Sequence, residues 1–252
     1  MQIYKSKNPL SRKLRLITAA RIALIVLPVF VLFFLLRRIG AENYLETAVF
    51  AAAILGMVIA YAALSRRYRI LLSGHNGERA LFKIIRHINW GADSAVFTNL
   101  PVVFRKNRSE IDMLLVGERG IVIIEVKNHS GIITGNSSDD FWLQRKKFSG
   151  GKSTEKKMLN PLIQLRRQRG IIKSLLREQG LDVWVENLLY FSNPAVKLNL
   201  NLGRGSGVFS DRSELVRFLN KMNPERTLTK KECRGVVKVL KGTKKLDNSS
   251  KM

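Results

Sequence analysis

The chain has little of what most metal and redox sites are built from: one cysteine, three histidines and 19 acids in 252 residues. Cys233 stands alone, which excludes an intrachain disulfide and any thiolate metal cluster and agrees with a reducing compartment. His75, His87 and His129 lack metal-ligand spacing and read as structural or solvated residues. Nothing supports a Ser/His/Asp or Cys/His nucleophilic set, and no internal repeat is visible. The loop from Ser149 to Thr154 lacks the first glycine of a phosphate-binding loop at the needed spacing, so no nucleoside triphosphate site is expected there. The shortage of acids is the more informative absence. Against 44 Lys and Arg it leaves a formal net charge of +25, which favours a polyanionic partner, either nucleic acid or anionic lipid. A hydrophobic content of 46% is ample for a core, so the basicity does not signal disorder.

Two long apolar stretches occupy the first quarter. Ile22 to Leu36 is unbroken and extends back to Leu16 if Arg21 snorkels. Leu45 to Leu64 is the second, with Glu46 near its outer end. Each can supply the roughly 20 helical residues that cross a hydrocarbon core. Pro28 is tolerated in such a helix. The link from Arg37 to Tyr44 is short, so an antiparallel transmembrane hairpin is expected. Basic residues crowd both outer flanks: Lys5, Lys7, Arg12, Lys13 and Arg15 before it, Arg66, Arg67 and Arg69 after it. The positive-inside rule then sets both termini in the cytoplasm, with the chain in the cell membrane. No small-x-small cleavage site follows the first run, which argues against a signal peptide.

Past Arg66 the pattern becomes mixed α/β. Gly77 to Ile88 has helical spacing, and Val96 to Leu100 and Val102 to Arg105 read as extended pieces. Asn160-Pro161 opens a long helix that stops near Gly180, with Asn as N-cap and Pro at the first position. Its polar face, Arg166, Arg167, Arg169, Lys173 and Arg177, is wholly basic and suits a nucleic-acid surface. Val183 to Phe191 is a strand, Ser210-Asp211 caps a helix through Leu219, and Thr229 begins a last helix through Leu240.

The chemistry concentrates in Ile121-Val-Ile-Ile-Glu125-Val-Lys127. This apolar, β-branched run makes a buried strand, and side chains two apart share a face. Glu125 and Lys127 therefore point the same way. Asp112 lies on a second apolar strand, joined to the first through the tight turn Gly117-Glu-Arg-Gly120. Two carboxylates and an amine can so converge, the equipment of metal-dependent phosphodiester hydrolysis.

The ordered set Gly77-Glu78, Glu110-Ile-Asp112, Gly120 to Asn128, Gly131, Trp142 and Asn160-Pro-Leu-Ile-Gln164 resembles the NERD domain, a nuclease-related domain of bacterial proteins. The resemblance covers roughly residues 74–190. It implies a restriction-endonuclease-like fold, a mixed sheet flanked by helices. It implies further that Asp112 and Glu125 ligate Mg²⁺ (or Mn²⁺), that Lys127 is the catalytic lysine, that Glu78 sits near the metal, and that Gln164 lies on the helix closing the site. Ile111, not proline, precedes the aspartate, and many relatives of this fold likewise lack that proline. The resulting organisation is a basic tail (1–15), a membrane hairpin (16–64), a linker (65–73), the NERD-like domain (74–190), a C-terminal α/β extension (191–241) and a polar tail (242–252). The expected function is a membrane-anchored nuclease whose partner is nucleic acid, DNA in the first instance. The alternative is a tethered module that binds nucleic acid or a partner without cutting.

Overall fold

In the computed structural model, residues 1–6, 8–37, 44–91, 93–148, 150–203, 207–222 and 227–249 are described. They fall into two compact units, Asn8–His75, and Met1–Lys7 with Asn76–Met252.

The first unit holds helix α1 (Pro9–Arg37) and most of helix α2 (Tyr44–Ile85). Leu10–Phe34 and Leu45–Ile85 are long and apolar enough to cross a membrane. Large apolar side chains are exposed all round them, among them Ile22, Phe30, Phe33, Leu45 and Ile59, as a lipid-facing surface requires. The loop joining them lies outside the described residues from 38 to 43. Residues 65–73, read from the sequence as a linker, are part of α2. Arg21 does more than snorkel. Its Nε donates to Ser65 Oγ at 3.1 Å and its Nη2 to the Tyr61 hydroxyl at 3.2 Å. The Tyr68 ring lies 4.6 Å from the guanidinium carbon. A guanidinium among apolar helices is costly unless its donors are met, and α2 meets them.

The second unit is mixed α/β with mixed sheets flanked by helices, the architecture expected. Its main sheet contains β1 (Gln2–Lys5), β2 (Ala95–Phe104), β3 (Asn107–Gly117), β4 (Gly120–Lys127), β8 (Val185–Phe191) and β10 (Gly207–Phe209), in that order. β2, β3 and β4 are antiparallel neighbours, whereas β1 joins β2, and β8 joins β4 and β10, in parallel. A smaller sheet runs β7 (Ser153–Leu159), β6 (Phe141–Lys147), β5 (Gly131–Asn136), β9 (Val196–Asn201). Helices α3 (Pro161–Arg177), α4 (Arg212–Lys221) and α5 (Lys230–Ser249) complete the unit.

Local chemistry explains most boundaries. The two residues between Gly117 and Gly120 turn the β3–β4 hairpin, and Gly120 has φ +100°, a conformation glycine adopts without penalty. Asn160 Oδ1 accepts from Leu162 N–H at 2.9 Å and Pro161 opens α3. Asp211 caps α4 through Glu214 N–H, also at 2.9 Å. Thr229 and Glu232 form a reciprocal capping box before α5. That helix continues to Ser249 rather than ending at Leu240, and Thr243 Oγ1 donates to the Leu240 carbonyl.

Two cores flank the main sheet. Ile121 and Ile123 of β4 face the side covered by Leu165 and Ile172 of α3, Val236 of α5 and Trp142 of the small sheet. Val122 and Ile124 face the end of α2, Leu81, Ile84 and Ile85, together with Leu215 of α4. The alternation breaks once. In β2 the α3-side core takes Ala95 and Phe97, then Leu100 and Val102; in β3 it takes Ile111, then Leu114 and Val116. The phase slips by one residue in each strand, at Asn99 and at Asp112. Asn99 has φ +51°, and the registered pairing passes from Thr98–Met113 to Leu100–Ile111 without joining these two.

Residues 2–5, expected within a basic tail, instead form the edge strand β1. Tyr4 stacks on Phe97 with ring centroids 4.9 Å apart, and Gln2 N–H donates to the Ser94 carbonyl at 2.7 Å. Tyr4→Ala is expected to cost about 1 kcal/mol and to lower Tm by roughly 2–4 °C in a thermal melt of the detergent-solubilised chain. Arg21→Leu is expected to loosen the α1–α2 pair by about 0.6–2 kcal/mol. Denaturing-detergent titration, read through helix–helix proximity, would show earlier separation; an unchanged midpoint would deny the clamp.

Candidate active site

Three elements meet where β4 ends. Glu125 and Lys127 extend the row of Ile121 and Ile123, so they lie on the α3 side of the sheet. The registered β3–β4 ladder reaches Met113 opposite Ile124 and stops. Asp112 and Glu125 are the next residues along, so two carboxylates occupy the point where the strands part. Val126 N–H there donates to Asp112 Oδ2 at 2.9 Å instead of to a strand carbonyl.

Glu125 is only 2% exposed. An isolated buried carboxylate would be strongly disfavoured, and three donors prevent that. Lys127 Nζ donates to Oε1 at 2.5 Å, Gln164 Nε2 to Oε2 at 2.7 Å, and Gln168 Nε2 to Oε2 at 3.1 Å. Lys127 also reaches Gln164 Oε1 at 3.4 Å, and Gln168 donates to the Glu110 carbonyl at 2.9 Å. Gln164 and Gln168 are one helical turn apart and share a face of α3. That spacing was the signal for Gln168, which reading the helix for its basic residues passed over.

Glu78 arrives from the other side of the sheet. Gly77 precedes it because the helix packs close: a Cβ there would stand 2.8 Å from Ser192 Oγ and 3.1 Å from Asn128 Cβ. Asn99 Nδ2 donates to Glu78 Oε2 at 3.0 Å. A non-glycine residue in the left-handed region inside a strand stores of order 1–3 kcal/mol; here it points an amide at a site carboxylate. Asn99 was also missed. Its signal was an amide beside Thr98 in the otherwise apolar run Ala95 to Phe104, of a type that tolerates positive φ.

Burial pushes the Asp112 carboxyl well above the ordinary range, and repulsion from Glu125 adds to it, with a smaller contribution from Glu78. The Val126 N–H and Lys127 pull the other way without prevailing. His129, just beyond Lys127, is lowered to about 4 by burial first and then by Lys127, Lys146 and Lys156. Cys233 is buried and its thiol raised, chiefly by desolvation, so it is no nucleophile.

The five basic residues of α3 divide between two faces of the helix. Arg167 reaches Ser109 Oγ on β3 at 3.5 Å, beside the glutamine face. Arg169 lies over the Trp184 ring, 5.4 Å from its centroid, and Arg177 pairs with Asp182 at 3.5 Å. At about 100° per residue, Arg166, Arg169, Lys173 and Arg177 cluster on the side away from Gln164 and Gln168.

Residues 73–192 match the family model of the nuclease-related domain, NERD. The chain carries a NERD domain. No curated protein and no solved structure matches the chain. The matched segment begins within α2 and ends just past β8, so it holds Glu78, Asn99, Asp112, Glu125, Lys127, Gln164 and Gln168 together. Among the described residues, no three His, Cys, Asp or Glu side chains close on one point as a ready metal cage. The NERD domain thus offers two facing carboxylates, with Glu78 held on Asn99.

Asp112 yields a stability test of unusual sign. Its proton is held more tightly in the folded chain than in the unfolded one. Stability from this group is therefore full below the unfolded pKa near 4 and declines as pH rises toward the raised folded value. Asp112→Asn keeps an acceptor for Val126 N–H and removes the charge. In EDTA at pH 7 the variant is expected to melt a few degrees higher than the parent, with the gain vanishing toward pH 3–4. A lower Tm at pH 7 would contradict the account.

Proposed function

We propose that this NERD domain hydrolyses nucleic-acid phosphodiester bonds with Mg²⁺ or Mn²⁺, at the cytoplasmic face of a membrane in which α1 and α2 anchor it. The supporting observation is the meeting of Asp112 and Glu125 at a parted strand pair, with Lys127 beside them. The donor set suits a small hard cation: the oxygens are carboxylates, and both the burial that chiefly raises Asp112 and the Glu125 repulsion that adds to it are what a cation offsets. Asp112 and Glu125 would hold it, leaving other positions for waters and a substrate phosphate, with Glu78 reaching it through water. When bound, such a cation relieves charge on the phosphate and acidifies water for attack.

The remaining work falls to the chain's own groups. Lys127 Nζ carries its protons beside the phosphate and donates them as hydrogen bonds to a non-bridging oxygen, countering the charge that builds there. Gln164 fixes Lys127 through Oε1 and Glu125 through Nε2. Gln168 holds Glu125 to β3 through the Glu110 carbonyl. Glu78 and Asn99 form the wall opposite α3.

Connectivity supports the membrane part of the reading. β1 precedes α1 and the rest of its sheet follows α2, so the domain is left once and rejoined once. A membrane segment inserted in that way must cross an even number of times. Two spans with both ends on one side satisfy this, and the basic flanks favour the cytoplasmic side.

One observation favours the binding-only alternative: both Glu125 oxygens already accept from three protein donors. The readings separate in one assay with the full chain in neutral detergent, offered plasmid, linear and single-stranded DNA and RNA in Mg²⁺, Mn²⁺ or EDTA. Cutting is expected with either metal and not in EDTA, and Glu125→Ala is expected to slow it at least about 100-fold. Retained cutting in that variant would sink the site assignment. Salt-sensitive binding without cutting of any substrate would leave the tethered binding module.

A further inference from the structure

The β6–β7 hairpin carries charge that the site described above leaves unused. From Arg145 to Lys157 it has six basic residues and one acid, Glu155. Arg145 occupies that acid at 3.0 Å. Among the described residues, Lys146, Lys147, Lys152, Lys156 and Lys157 form no ion pair.

Strand register sorts these lysines into two groups. Lys146 opposite Thr154 and Lys156 opposite Gln144 share a face with Trp142; Lys147 opposite Ser153 and Lys157 opposite Leu143 share the other. The first face is the inner one. Trp142 and Gln144 are buried, as is Ile133, the β5 partner of Gln144. Gln144 Nε2 donates to the Ser130 carbonyl at 2.8 Å, which ties this face to the connection 128–130 leaving Lys127. At the end of that connection, a Cβ on Gly131 would meet the Arg145 carbonyl and come within 3.2 Å of Lys146 Cγ, so the Lys146 stem lies against the backbone there. His129, inside the connection, feels Lys127, Lys146 and Lys156 together, with no acid among the charges acting on it. Lysines held within electrostatic reach of the same buried ring carry like charge into one region of the free protein, and a bound polyanion relieves that repulsion.

We propose that Lys146 and Lys156, with His129, form the cradle for backbone phosphates of the nucleic-acid strand entering the NERD site. The inference rests on the nuclease-site reading only for where that strand leads. It moves the nucleic-acid surface from the outer face of α3, where Arg169 and Arg177 are engaged elsewhere, to the inner face of the hairpin. Nucleic acid, rather than a lipid headgroup, is the occupant because the lysines continue from Lys127 and so follow one strand through the site.

The test uses the full chain in neutral detergent with EDTA, so that binding is read without cutting. The probes are fluorescein-labelled duplex DNA and single-stranded RNA oligonucleotides. Two double variants remove equal charge, Lys146→Gln with Lys156→Gln on the inner face and Lys147→Gln with Lys157→Gln on the outer. The inner pair is expected to weaken at least one probe about 10-fold or more near 100 mM salt and to reduce the slope of log K against log salt by about 1–2, as the loss of one or two phosphate contacts requires. The outer pair is expected to change either quantity little. Equal weakening by both pairs, no effect of the inner pair, or no binding of either probe would overturn the proposal. Cutting that survives Glu125→Ala would overturn the nuclease site alone and leave the inner-pair result standing.

Discussion

The Glu125 carboxylate sets the terms for everything around it. β4 is buried on both sides, so a charge at its end could not be left to solvent. At 2% exposure it needs donors from the protein. One comes from two residues on, Lys127, and two from a single face of α3. Stripping a partner from such a buried charge typically costs on the order of 3–5 kcal/mol. Satisfying one acid thus fixes the height and rotation of α3 against β3 and β4, and the Asn160 cap fixes where that helix starts. The same interactions hold the ammonium of Lys127 between Glu125 and Gln164.

The parting of β3 from β4 depends on a second constraint, in β2 and β3. A continuous ladder would pair Asp112 with Asn99 on one edge and with Glu125 on the other, and would keep the side chains of each strand in strict alternation. The left-handed turn of Asn99 shifts the side-chain phase of both strands at one level. Leu100, Val102 and Ile111 stay in the α3-side core after the shift, so no apolar contact is given up. Only the polar pair leaves the ladder. Asp112 is raised by burial first and by repulsion from Glu125 second, and this pattern belongs to a site whose protein part alone is electrostatically unfinished.

Much of this was legible in the sequence because strand periodicity carries it. Glu125 and Lys127 two apart and Asp112 across a Gly-bounded turn followed from local geometry, whereas Gln164 entered only through the resemblance to the NERD domain. The Asn160, Asp211 and Thr229 caps were likewise readable from local geometry. What the sequence hid was non-local. The run Ala95 to Phe104 shows an interruption at Asn99, but nothing in it says that the partner strand slips at Asp112. The extended run at 153–159 is too charged to read as a strand until β6 is beside it, and 196–201, with its alternating Leu and Asn, gave too little pattern. The basic stripe of α3 was visible, but Trp184 and Asp182, which engage two of its arginines, come from the segment following the helix.

The placement of β1 also bears on how the domain is completed. It precedes the other strands of its sheet and lies at one edge, yet its partner β2 is separated from it by both long helices. Closing a flexible loop of that length costs an entropy that grows only as the logarithm of its size, but four edge residues offer few contacts in return. If α1 and α2 span a bilayer as a hairpin, the membrane holds both ends of the loop at one surface, and most of the search for β2 is already done. The Tyr4–Phe97 stack and the Gln2 and Ser6 backbone hydrogen bonds then suffice to seat the strand. On this argument a fragment starting after the second span would lack an edge of its own sheet. The apolar helices would accordingly be part of how the NERD domain is assembled as well as where it is kept.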